Sequence, residues 1–199
     1  MQRLLFFKPI KLFLAAYQSK DTNLGGSSNA YIGDDGVCRL KLTDGQETLI
    51  DVEDLPKVVF KTWRGTRIVK RNPSPYAARS ERDNNRNVGV LMHRLLLDAE
   101  TGLEVDHING LTLDNRRSNL RICTGQQNVW NKPKFSGAFS SKFKGVVWDK
   151  ECDKWRARIR FNDKLISLGR HVDEEDAARA YDKKALELFG PFAKLNFPQ

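Results

Sequence analysis

The sequence predicts an α+β protein whose N-terminal part is mostly β and whose residues 142–199 form a three-stranded antiparallel sheet with one packed helix. Three observations carry this. Residues 30–89 hold short β-like runs (VCRLKLT, ETLIDV, VVFKTWR, TRIVK) separated by turns such as DDG, TDGQ and RNPSP. In KWRARIRF, Lys154, Arg156, Arg158 and Arg160 alternate with Trp155, Ala157, Ile159 and Phe161. That is the period of a strand with one apolar and one basic face. The stretch VDEEDAARAYDKKALELFG then reads as a helix: Asp173 can cap it, acids fill its first turn and Gly190 ends it.

The start, MQRLLFFKPIKLFLAAY, is apolar, but Lys8, Pro9 and Lys11 interrupt it well short of the ~20 residues of a membrane span. An amphipathic helix, or sequence outside the folded domain, is expected there, and no transmembrane segment. DTNLGGSSN (21–29) reads as linker. A short helical turn is expected near Val52–Phe60. Lys61, Arg64, Arg67, Lys70, Arg71, Arg79, Arg82 and Arg86 follow, opposed only by Glu81 and Asp83. This is either a solvated basic loop or a flank that contacts phosphates. VLMHRLLLDAE (90–100) reads as a short buried helix, with His93 a buried or capping histidine. KPKFSGAFSSK (132–142) has the Pro, Gly and Ser of a linker.

In the last domain KFKGVVWDK and KLISLGR are partner strands to KWRARIRF, with ECDK and FNDK as turns. Ala177, Ala178, Tyr181, Ala185 and Leu188 form the apolar stripe of the helix. Charge is segregated. Residues 142–170 carry nine basic and four acidic side chains, whereas 171–190 carry three and six. A positive sheet backed by a negative helix suits a polyanion. The whole chain has a net charge of +9 over 199 residues and a pI near 9.6, which points to nucleic acid first. The arginines face outward while the aromatics alternate inward, which favours DNA over single-stranded RNA. Cys38, Cys123 and Cys152 form no CxxC pair, so neither a structural zinc site nor a disulfide framework is expected, and a reducing compartment is.

The chemistry lies in VDHINGLTLDNRRSNLRICTGQQN (105–128). Phosphodiester hydrolysis needs an activated water, neutralisation of the transition-state charge and expulsion of the leaving oxygen. His107 can act as a base near neutral pH. Asp106 and nearby amide oxygens are hard ligands that suit Mg²⁺ or Mn²⁺ better than zinc. Amides stand at +12 (Asn119) and +21 (Asn128) from the histidine, and the turns NG, DN and SN between them fold the stretch back. Arg116, Arg117 and Arg121 lie within it as candidate DNA contacts.

MHRLLLD…EVDHINGLTLDNRRSNLRICTGQQNVWN, within residues 91–131, resembles the HNH endonucleases, in the branch of phage and intron-associated homing and nicking enzymes. The resemblance implies a ββα-metal core: two strands and a helix clasping one divalent cation. It implies that His107 is the general base, that Asp106 and Asn128 hold the metal, and that Asn119 braces the loop and orients His107. Asn128 stands where many relatives have histidine. Residues 141–197 resemble the Apetala/ethylene-response-factor (ERF) DNA-binding domain in KGV, KWRARI, LG, AARAYD, LFG and LNFP. That family lays its sheet in the major groove. Lys144, Arg158 and Arg160 fall at its contact positions, whereas Val147, Asp149, Leu165 and Ser167 depart from its pattern. Lys154 and Arg156 complete the basic row.

The expected organisation is a tail at 1–29, an HNH nuclease domain at 30–131, a linker at 132–141 and an ERF-type domain at 142–199. The expected function is a metal-dependent DNA endonuclease, homing or nicking, with one Mg²⁺ or Mn²⁺ per centre and no zinc. Its expected partner is double-stranded DNA, bound as a monomer or a DNA-assembled dimer, with no membrane partner, inside a bacterial or phage-infected cell. The alternative is a DNA-binding or regulatory protein whose nuclease has decayed.

Overall fold

A computed structural model describes residues 30–67, 74–134, 137 and 139–198. The expected tail at 1–29, most of TRIVK, Lys70, Arg71 and three residues of the expected linker (Phe135, Ser136, Ala138) lie outside the described residues. The chain is a mixture of helix and strand with several small antiparallel sheets, and it forms two compact units. One runs to Ala99 and includes Leu111–Leu120; the other comprises Glu100–Gly110 and Arg121 onward. None of the described helices is long and apolar enough to cross a membrane.

The first unit holds two three-stranded antiparallel sheets. β1 (Ala30–Ile32), β2 (Cys38–Lys41) and β3 (Glu47–Ile50) pair in sequence order. Their alternate residues Cys38, Leu40, Thr48 and Ile50 point inward and are almost fully buried. The expected helical turn is present as a 3-10 turn at Val52–Asp54 followed by α1 (Leu55–Val58), with Pro56 in its first turn. Pro56 supplies a preset helical φ and needs no donor there.

VVFKTWR is not the strand its composition suggests. Val58 and Val59 close α1, and the indole of the buried Trp63 donates to Val58 O at 2.9 Å. The strand begins only at β4 (Arg64–Thr66), which pairs with the start of β5 (Tyr76–Asp83); β5 pairs in turn with β6 (Arg86–Leu91). The expected basic loop is therefore largely a hairpin. VLMHRLLLDAE is likewise split: Val90 and Leu91 end β6, and α2 covers only Met92–Leu96. Asp98 adopts a left-handed φ of 49° that stops the helix. His93 is buried, its ring 5.4 Å from that of Tyr76.

The second unit contains β7 (Glu104–His107) and, from Arg121 on, β8 (Leu120–Cys123), which form a two-stranded sheet, then α3 (Gly125–Asn131). Thr124 and Gln127 close a reciprocal capping box at the start of α3. β9 (Val146–Asp149), β10 (Lys154–Phe161) and β11 (Lys164–His171) form the third antiparallel sheet, with β10 central, and α4 (Glu174–Phe189) packs on it. Asp173 accepts from the backbone of Glu175 and Asp176 as the N-cap. Ala157, Ile159 and Val146 of the sheet pack with Ala177, Ala178, Tyr181 and Ala185. The alanine stripe lets the helix approach closely, and Gly145 (φ +79°) is required beside it because a Cβ there would overlap the Tyr181 ring. The indole of Trp130, from α3, stacks on Phe189 with centroids 4.5 Å apart and joins this core.

Candidate nuclease site and basic sheet

Asp106 and His107 are consecutive on β7 and both are buried. Consecutive strand residues point to opposite faces, so each side chain has its own surroundings. Asp106 Oδ2 accepts from Arg121 Nε and Nη2, at 2.8 and 2.6 Å. Its Oδ1 accepts from Asn131 Nδ2 at 3.0 Å. The same Asn131 amide reaches His107 O and Ile108 O, at 3.1 and 3.3 Å. Gly110 N also donates to His107 O, at 2.9 Å. Arg121 donates its Nη1 to Pro191 O at 2.6 Å and lies 4.1 Å from the Phe192 ring centroid. The carboxylate thus has a fixed orientation set by two side chains. Asn131 could be read from the sequence only as one more amide near a helix end.

Asn128, on α3, donates its Nδ2 to Glu104 Oε2 at 2.5 Å. Binding the nitrogen this way turns the amide oxygen elsewhere. For a divalent cation the donor set is right in kind: an ionised carboxylate keeps lone pairs beyond those used by Arg121 and Asn131, and an amide oxygen is a hard neutral ligand. Mg²⁺ commonly takes only one or two protein oxygens, with water and phosphate filling the rest. Among the described residues no cluster of three or more His, Cys, Asp or Glu could hold a metal. The Cys123 thiol, buried and near Asp106 and Glu104, is pushed up to about 11, first by burial, so it stays protonated.

In the first unit, residues 113–119 are tied to β3. Leu49 N donates to Leu113 O and Asn115 N to Leu49 O, at 2.9 and 2.8 Å. The fully buried Asn115 donates Nδ2 to Thr48 Oγ1 at 2.7 Å. Asn119 Nδ2 donates to Asp114 O at 2.8 Å and pins its own loop. Arg116 is bidentate to Asp114, both contacts at 2.7 Å. Arg117 is bidentate to the buried Asp54 at 2.7 Å and also reaches Leu96 O. Arg116, Arg117 and Arg121 are therefore all engaged by carboxylates within their own units.

Lys144 is not on the outer face of the sheet. Its Nζ donates to Trp130 O and Lys132 O, both at 2.7 Å, and satisfies carbonyls at the end of α3. Burial, with Lys194 adding repulsion, pushes this ammonium down to about 8. The folded-state value lies below that of an unfolded lysine, so the folded protein sheds this proton first. Its contribution to stability is expected to rise from pH 8 to about 10.5 and to be lost as pH falls through 8. Comparing urea midpoints of the parent and Lys144→Met across that range isolates the effect; parallel pH profiles would refute it.

Lys154, Arg156, Arg158 and Arg160 face away from α4, since the alternate residues Ala157 and Ile159 are buried. Lys154 and Arg160 are exposed, Arg156 and Arg158 half-buried. Arg156 stands opposite Arg170, Arg158 opposite Ser167 and Arg160 opposite Leu165. The register shifts between Arg156 and Arg158, where Gly169 takes a φ of +102°, a bulge that bends the strand. Asp149, on the neighbouring strand, is bound by Arg170 Nε at 2.8 Å, which holds its carboxyl low.

Residues 90–129 match the family model for HNH endonucleases. The chain is 40% identical over 92 residues to an uncharacterised HNH endonuclease of Acanthamoeba polyphaga mimivirus, covering 46% of each protein. It is 32% identical over 93 residues to Protein 3.8 of Escherichia phage T7, covering 47% of this chain and 75% of that protein. It is also 33% identical over 90 residues to an AP2-like ethylene-responsive transcription factor of Arabidopsis thaliana, covering 45% of this chain. The chain thus spans less than half the length of the mimivirus relative and 21% of the plant one.

Proposed function

Because this chain belongs to the same family as phage T7 Protein 3.8 and carries an HNH endonuclease domain over residues 90–129, we propose that it is a metal-dependent endonuclease acting on double-stranded DNA. The observation that carries the reading is the buried Asp106–His107 pair, its carboxylate gripped by Arg121 and Asn131. In this reading His107 removes the proton from the attacking water. Asp106 and Asn128 would hold one Mg²⁺ or Mn²⁺ through their oxygens, and Glu104 keeps the Asn128 amide turned for that role. A bound divalent cation would neutralise charge at the scissile phosphate and assist the leaving oxygen. Asn119 holds the loop between the two halves of the motif and through it the orientation of His107.

The C-terminal sheet is the ERF-type DNA-binding module in this reading. Lys154, Arg156, Arg158 and Arg160 repeat at about 6.8 Å along one face and follow the phosphate backbone, so binding falls steeply with salt. Arg116, Arg117, Arg121 and Lys144 serve the protein's own structure instead. One catalytic centre per chain nicks a single strand, in the manner of a homing or nicking enzyme, unless two copies assemble on DNA. The phage relative suggests a site of action inside an infected bacterium.

A second reading, a DNA-binding protein that does not cut, is favoured by one observation: both oxygens of Asp106 are already engaged. Supercoiled plasmid separates the two. With Mg²⁺ the chain is expected to convert it to open circles, and EDTA to stop the conversion. Salt-sensitive binding without any conversion, across plasmids that include the gene's own flanking DNA, would select the second reading.

A further inference from the structure

The hairpin of β5 and β6 extends beyond its sheet. Among the described residues β4 pairs with Tyr76, Ala77 and Ala78, and from Arg79 outward β5 and β6 pair with each other alone. Asn84 and Asn85, with φ of 42° and 64°, form the two-residue turn that closes the ribbon. Directly opposed residues share a face, so the register Ser80↔Gly89 and Arg82↔Asn87 puts these four together. All four are exposed.

The two faces differ in chemistry. The opposite face balances its own charge: Arg79 pairs with Glu81 at 2.5 Å and lies over the Trp63 ring, and Asp83 stands across from Arg86. The Ser80, Arg82, Asn87 and Gly89 face has a guanidinium, an amide and a hydroxyl, and no carboxylate. Gly89 adds an independent observation. A Cβ there would meet nothing within 4 Å, and its φ is not left-handed, so the fold does not need a glycine. Glycine inside a strand costs roughly 0.5–1 kcal/mol relative to alanine and commonly marks close approach by another molecule. Among the described residues of 61–91, six are basic (Lys61, Arg64, Arg67, Arg79, Arg82, Arg86) and two acidic.

We infer that this face of the ribbon enters the major groove of duplex DNA and reads base edges through Arg82 and Asn87, with the bare backbone at Gly89 allowing the close approach. A two-stranded ribbon fits a groove about 12 Å wide and about 8.5 Å deep. The span from Ser80 to Asp83 is about 10 Å at strand rise, enough to reach its floor. Guanidinium and amide are the groups that pair bidentately with guanine and adenine. The ribbon makes this a second DNA-reading element besides the C-terminal sheet, and the inference rests on DNA being the substrate.

The test selects binding sites from duplexes with a randomised centre. The full chain carries His107→Ala so that the DNA stays intact, with and without Arg82→Ala or Gly89→Val. The parent is expected to enrich a site containing a block of preferred bases that both ribbon variants lose. Each variant should bind the parent's site roughly 5- to 100-fold more weakly, and guanine N7 methylation within the block should interfere with binding. Gly89→Val should unfold at the parent's temperature or above, which separates lost reading from lost folding. Identical sites and affinities for all three proteins would overturn the ribbon inference and leave the DNA substrate standing. A parent that binds no duplex would remove both.

Discussion

His107→Ala is expected to slow DNA cleavage by about 10²- to 10⁴-fold while leaving DNA binding unchanged. The backbone at residue 107 has anchors besides the imidazole. Its carbonyl is held by Gly110 N and Asn131 Nδ2, and β7 is paired with β8. Alanine therefore removes the base and keeps the strand. Binding should persist because the exposed cations Lys154 and Arg160 and the half-buried Arg156 and Arg158 lie on another sheet. Plasmid conversion rates, read beside salt-dependent affinity and the unfolding midpoint, check this. A variant that cuts at the parent's rate would remove His107 from the role of base. A variant that neither cuts nor binds would show that the imidazole acts on structure instead.

Arg121→Ala is expected to be the most destabilising single change at the site, by about 3–5 kcal/mol. Asp106 is buried, and Arg121 is only 16% exposed in its side chain. Truncating the arginine leaves a buried carboxylate with the neutral Asn131 amide beside it, and frees Pro191 O. The energy lost is mainly the cost of the orphaned charge. Adding Asp106→Asn to Arg121→Ala should accordingly recover part of it. Divalent cations supply a second readout. If Asp106 is a metal ligand, Mg²⁺ should raise the unfolding midpoint of Arg121→Ala more than that of the parent, because the cation replaces the missing positive charge. Equal midpoints for Arg121→Ala and the parent would show the ion pair to be incidental.

Much of the C-terminal unit was legible because its signals are local. The alternation in KWRARIRF, the Asp173 cap and the alanine stripe are each read along a few residues, and strand, cap and packed face appear where they fall. The β5–β6 ribbon was hidden for the converse reason. Both of its faces meet solvent near the tip, so no apolar period marks it as strand. Only pairing between Arg82 and Asn87, and between their neighbours, makes it one.

The sequence by itself determined the chemistry available: an acid beside a histidine, amides at set intervals, a basic strand and a composition suited to a polyanion. Tertiary structure alone decided which of these groups are engaged within the fold. Arg117 and Arg158 are alike in sequence. Yet Arg117, although exposed, is taken by Asp54, 63 residues away, and Lys144 by carbonyls at the end of α3, whereas Arg160 stands exposed on the outer face of β10. Charge and residue type belong to the chain. The desolvation and pairing that commit a cation to the protein or leave it for a partner depend on neighbours brought together only by folding.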